Sequence, residues 1–163
     1  MGFQGKVLSV SALLDANRAA PPYGSNHRFG VLHTAAGAAL DCRNLLAEGE
    51  TLDGCWRFGV LQILDDYAST LRRGGVELAA GVFTEEPSRT GAPQLDAAFA
   101  ALADYLSGRD GWVAPEWVFD PARSTPDWYP AVPMILRGEA DIESPPEFRS
   151  RGILITSRSL ERA

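Results

Sequence analysis

Apolar residues recur at three- and four-residue steps through residues 51–75, TLDGCWRFGVLQILDDYASTLRRGG. Trp56, Val60, Ile63, Leu64, Tyr67 and Leu71 fall on one helical face. Phe58, Leu61 and Ala68 widen that stripe, which predicts a helix covered by neighbours on several sides. The ends agree with this reading. Thr51 can accept a backbone N–H as N-cap, and Asp53 sits where the helix dipole favours negative charge. Arg72 and Arg73 occupy the last turn, and Gly74 suits the left-handed position that stops a helix. The span of roughly 22 residues predicts a helix about 33 Å long, the structural centre of the chain.

The same pattern places other helices around it. Ser9 or Ser11 opens a first helix running to about Ala20, with Val10, Leu13 and Leu14 inward, and the loop PPYGSNHR follows. A second helix is predicted from about His27 to Glu48, with Phe29, Leu32, Ala36, Ala39, Leu40 and Leu46 apolar. Its AAGAAL run permits close packing, and the short join at Gly49 predicts an antiparallel neighbour in the third helix. Residues 76–83, VELAAGVF, fit a short helix or an extended segment equally well. Residues 84–93 are a turn-rich surface loop. A fourth helix is predicted from Pro93 to Ser107, with Leu95, Phe99, Leu102 and Leu106 inward and Gly108 as its stop.

At Gly111 the pattern breaks down. Residues 111–134 hold five prolines and three of the four tryptophans. No regular helix or central strand runs through that proline density. Trp112, Trp117, Phe119, Trp128 and Tyr129 are too bulky for a loose linker. We read an ordered strap laid across the helices, in which Asp120-Pro121 and Thr125-Pro126 each open a helical turn. A short helix near Met134 to Asp141 follows, then a helix start at Ser144-Pro145-Pro146-Glu147, a stop at Gly152, and Ile153, Leu154 and Ile155 extended and buried. Ser157 or Ser159 caps a final turn. The predicted fold class is mainly α: a bundle of about four main helices in a single domain over residues 1–163. Residues 1–110 supply its helical core, and the strap and a short extended C-terminal tail pack on it.

Composition narrows the function. The 163 residues suit one domain, and a hydrophobic content of 45% with 22% charged residues is ordinary for a globular protein. A net charge of −6 argues against a general nucleic-acid surface, which rests on clustered positive charge. Fourteen of the fifteen basic residues are arginine, Lys6 being the exception. No apolar run reaches the length of a membrane span, and the start, MGFQGKVLSV, is too short and polar for a signal peptide. Cys42 and Cys55 therefore read as reduced core thiols of a cytoplasmic protein.

No catalytic constellation emerges. Cys42 and His33 lie nine residues apart, about 900° of helical rotation, and so point to opposite faces. Two cysteines and two histidines match no metal-ligand spacing, and no cofactor is implied. Asp65 and Asp66 diverge on their helix, and either one needs a partner if buried. The strap is the stretch richest in information, because Trp, Tyr and Arg are enriched where proteins bind one another. Residues Trp117, Trp128, Tyr129, Phe148, Arg149 and Arg151 are the candidate partner-binding set.

The tail SPPEFRSRGILIT, with DAAFAALADYLSGRDGW and PEW before it, resembles a pattern in uncharacterised helical proteins that accompany helix-turn-helix regulators or toxin–antitoxin-like pairs. The resemblance covers residues 94–163. It implies a regulatory or protein-binding role and transfers no catalytic residue. The first expectation is thus a non-catalytic interaction domain, antitoxin-like, whose partner is another protein. The alternative is a small-molecule-binding protein or enzyme, with a pocket between strap and central helix formed by Asp65, Tyr67, His33 and Arg57. A DNA-binding regulator is the third reading, although residues 1–90 show no helix pair with a basic recognition helix.

Overall fold

Helix α1, Ala35–Ala47, begins where Thr34 accepts the backbone N–H of Gly37. The computed structural model describes residues 30–161, so the expected first helix and its loop lie outside the described residues. Residues 30–34 precede the helix in bend or irregular backbone, so α1 does not reach back toward His27. The hydroxyl of Thr34 explains the start: it satisfies a first-turn donor that a preceding turn would otherwise have served. Ala35, Ala39 and Cys42 face the core, whereas Leu40 points outward. Gly49, at a φ of 96°, turns the chain back.

The stretch expected as one regular central helix is three pieces in line. Helix α2 is Leu52–Cys55, capped by Thr51 as the sequence predicts. A π-helical segment, Trp56–Val60, follows, and α3 runs Leu61–Ala80. The extra residue per turn sets Gly59 directly against α1. A Cβ there would overlap the Cys42 sulfur, so only glycine lets the two backbones come this close. The break in α3 falls at Gly75, with φ 79°, rather than at Gly74. Helical structure then resumes through residues 76–80 and tightens into a 3-10 turn, Gly81–Phe83, which resolves the ambiguous VELAAGVF stretch as helix.

Helix α4, Pro93–Asp110, is the most completely enclosed element: every residue from 95 to 103 is buried. That corrects the expectation that the 51–75 helix is covered on several sides. Phe58 is 61% exposed, and Leu61 and Ala68 are only half-buried. The physical reason lies in side-chain size. Ala97, Ala98, Ala100, Ala101 and Ala103 let neighbours approach α4 all round, while Phe99, Leu102 and Leu106 fill the gaps. Helix α4 packs against α1, the π segment, α3 and the strap's 3-10 turn at Glu116–Phe119. It ends at Gly111, left-handed at φ 77°, a turn later than Gly108 would have placed it.

Among the described residues there is no strand. The strap carries the 3-10 turn Glu116–Phe119 after Pro115. Asp120-Pro121 and Thr125-Pro126 form turns and bends, not helical turns; Asp120 caps the turn by accepting the Ala122 N–H. Beyond it lie a 3-10 turn, Met134–Leu136, then α5, Arg137–Glu143, and α6, Pro146–Arg149. Residues Ile153, Leu154 and Ile155 are extended and buried. The strap is stitched to this tail by Thr125 N–H to Arg151 O at 3.0 Å, Trp128 N–H to Gly152 O at 2.8 Å, and Leu154 N–H to Trp128 O at 2.9 Å. Residues 31–161 belong to one compact unit. No helix of the described residues is long and apolar enough to cross a membrane.

Candidate interaction surface

Except for Phe119, which is 60% exposed, the strap's rings are buried or half-buried. Trp117 is buried, and its indole N–H donates to the carbonyl of Phe83 at 3.1 Å. Trp112 donates to the hydroxyl of Tyr67 at 2.9 Å and stacks on Phe83 at 5.9 Å. Trp128 is half-buried, edge-on to Trp56 at 5.9 Å. Trp56 also meets Phe148, which is fully enclosed and offers no outer surface. Arg123 is 1% exposed and lies over the Trp117 ring at 5.1 Å. It donates to Glu86 at 3.0 Å and to the Pro87 carbonyl at 2.6 Å, but its Nε and Nη1 have no hydrogen-bond partner. The position of the guanidinium over the Trp117 ring gives the cation a π face beside it.

Arg149, Arg151 and Tyr129 each make contacts within the chain. Arg151 is held on Asp104 at 2.9 Å and on the carbonyls of Glu147 and Val118. Arg149 donates to the carbonyls of Ile142 and Ser144, closing the C-terminal end of α5. Tyr129 donates to Asp141 at 2.7 Å while the Arg137 guanidinium covers its ring at 4.7 Å. The bond to Asp141 raises the tyrosine's pKa above its ordinary value. Glu143 accepts both the N–H and the hydroxyl of Ser157, and the Ser157 backbone N–H foremost lowers its pKa. Ser144 donates to the carbonyl of Ile153 at 2.9 Å. Residues 134–144 are thereby pinned to strap and tail along one side.

The other side is bare. Met134, Ile135 and Ile142 are 79%, 88% and 80% exposed. Leu136 and Ala140, four apart, turn inward against Tyr129, Val132 and Leu154. Ile135 and Ile142, seven apart, share the opposite face. Scattered exposed apolar residues are normal, but three large ones on a short rigid arm form a patch. The sequence contained this signal: MILRGEADIE is apolar on two faces, one more than a helix resting on a core needs.

The four residues expected to share a pocket do not converge. Tyr67 is buried and donates to Asp110 at 2.7 Å, and Arg109 clamps the same carboxylate through two nitrogens at 3.0 and 2.7 Å. Burial pushes the Tyr67 phenol up, and Arg109 pulls the Asp110 carboxyl below the ordinary aspartate range. Asp65 is half-buried, and Arg57 is exposed on the π segment. His33 instead lines two shallow grooves of about 190 and 210 Å³ with Leu32 and Asp66; neither includes Asp65, Tyr67 or Arg57. A larger cavity of about 430 Å³ opens between strap and tail, lined by Asp104, Phe119, Asp120, Arg123, Ser150 and Arg151 among others. Among the described residues no group of three or more His, Cys, Asp or Glu side chains is placed to hold a metal.

Comparison of the chain with protein families, with curated proteins and with solved structures found no match to any of them.

Proposed function

We propose that this protein is a non-catalytic interaction domain whose contact face is the apolar side of the 134–142 arm. The observation that carries the reading is the exposure of Met134, Ile135 and Ile142 on a segment held to strap and tail at Asp141 and Ile142. A rigid apolar face loses little conformational entropy on docking, which is how short helices bind apolar grooves on partner proteins. The six strap and tail residues selected from the sequence then serve as the scaffold of the contact rather than the contact itself. A regulatory or antitoxin-like role, as the resemblance of the tail implies, is consistent with such a face.

The test is copurification from the native host with the wild-type chain and with Met134→Ser/Ile135→Ser/Ile142→Ser. All three positions are outward, so the variant should keep its circular dichroism. A partner retained by the wild type and lost by the variant supports the reading. A wild-type chain that elutes alone as a monomer overturns it. The strap–tail cavity favours a second reading, a small-molecule binder, since about 430 Å³ lies within the usual range for ligand sites. A thermal-shift screen of small polar metabolites, with Phe119→Ser as the comparison, tests it; no stabilising compound among them removes it.

A further inference from the structure

Two thiols meet where α1 packs on α2. Cys42 and Cys55 are both fully buried. The Cys42 S–H points to the carbonyl of Cys55 at 3.7 Å, and the Cys55 S–H to the carbonyl of Cys42 at 3.8 Å. Each thiol therefore reaches across to the other residue's backbone. Reciprocal contact of this kind sets the two residues against each other across the helix pair, the proximity from which a disulfide can form. Here each sulfur lies against the other cysteine's backbone carbonyl. We infer that Cys42 and Cys55 are a latent dithiol that closes to an intramolecular disulfide under a small disulfide oxidant and reopens under excess thiol.

The chemistry balances with oxidised glutathione as the oxidant. One protein thiolate attacks a glutathione sulfur, forming a mixed disulfide and expelling one glutathione thiolate. The second protein thiolate attacks the mixed disulfide at the protein sulfur and expels the other. Two electrons pass from the cysteine sulfurs to glutathione, and the two protons end on its thiols. Burial and the neighbouring sulfur push the Cys42 thiol up to about 12. The nucleophilic thiolate is therefore scarce in the closed core, and exchange waits on local opening. The pair suits a slow response to sustained oxidation, not a catalytic cycle.

The bridge would act on the π segment. The Cys42 sulfur fills the notch left by Gly59, and the segment begins at the residue after Cys55. Drawing that sulfur toward Cys55 empties the notch and closes a covalent ring around residues 43–54, which include the turn between the two helices. The redox state of the pair is thereby linked to the surface that carries Phe58 and His33.

The experiment treats the full chain with oxidised glutathione at pH 8, quenches with acid, alkylates in denaturant and reads intact mass. Closure is expected to remove two hydrogens and both alkylation sites, to leave the chain monomeric on a non-reducing gel, and to reverse with dithiothreitol. Cys42→Ser and Cys55→Ser should each show one alkylation site and no such loss. The wild-type thiol count stands even if a variant folds poorly. Two alkylated cysteines after exposure that bridges the denatured chain overturn the proposal. So does a stable glutathione adduct, or a disulfide-linked dimer.

Discussion

Gly59 sits at a close approach between the π segment and α1, and replacing it with alanine tests the contact with Cys42. The added Cβ would overlap the Cys42 sulfur and touch Phe99 at 3.7 Å. Both neighbours are fully buried, so neither can swing away into solvent. Forcing one methyl into such a core costs about 1–3 kcal/mol. Alanine in a helix, however, gains about 1 kcal/mol over glycine. The net for Gly59→Ala is then a loss of about 0–2 kcal/mol, too broad to decide anything alone. A double-mutant cycle with Cys42→Ala decides it, because the backbone term cancels. The coupling between the two sites is the overlap itself, about 1–3 kcal/mol, with Gly59→Ala becoming neutral or stabilising once the sulfur is gone. Urea unfolding followed by tryptophan fluorescence supplies all four free energies, since Trp56 lies three residues from the site. Additivity within about 0.5 kcal/mol would refute the claim that glycine is there to admit Cys42.

Other expectations follow from the same geometry. Arg123→Met should cost less than about 1 kcal/mol, because two of the three guanidinium nitrogens already lack partners and a flexible apolar chain keeps the packing on Trp117. Arg123→Ala should cost about 3 kcal/mol through the void it leaves; equal losses in chemical denaturation would contradict this. Gly152→Ala should destabilise by more than about 2 kcal/mol, since the residue has φ 80° and its Cβ would overlap the Thr125 carbonyl oxygen; thermal unfolding within a degree of wild type would count against it. Cys42 and Tyr67 both have raised pKa values, chiefly from burial, so each stabilises the fold below its ordinary value, 9.0 and 10.0 respectively. That stability is lost as pH rises through the folded values. Melting temperature should hold from pH 7 to about 8.5 and fall steadily above 9, less steeply in Cys42→Ala; an equal slope in wild type and variant would exclude Cys42 as a source.

Some of this fold was legible in the residues and some was not, for identifiable reasons. The caps at Thr51 and Pro93, the inward stripe of α4 and the buried Ile153–Ile155 run follow from periodicity and capping chemistry alone. The start of α1 was placed too early because Phe29 and Leu32 continue its apolar pattern, whereas the Thr34 hydroxyl sets the boundary. The stop of α4 was placed too soon because SGRDG offers two glycines. Trp112, anchored on Tyr67, stands just after the second, and Gly111 is where the chain turns to reach it. The π segment has no signature in a helical repeat, since one inserted residue shifts the phase without interrupting it. The rings of the strap were correctly read as ordered, but composition could not say which would face out. Trp117 and Phe148 turned to the core, and the surface went to Met134, Ile135 and Ile142. Of the four residues expected to share a pocket, Tyr67 is taken up by Asp110 and Trp112, more than forty residues on, and lies outside both grooves that His33 lines.

The stitching of strap to tail has a consequence for the order in which the protein can be made. Residues 111–134 leave the ribosome before residues 151–154, yet their backbone partners at Arg151, Gly152 and Leu154 are among those later residues. Helices α1 to α4 can therefore assemble while Trp128 and the strap around it still lack a place to settle. The arm waits in turn, because its braces at Ser144, Arg149 and Ser157 depend on the tail arriving. A nascent chain consequently displays its apolar arm in the intended geometry only after Leu154 and Ser157 have been added. Translation products that stop short of this point carry the helical core without the bonds that hold the arm.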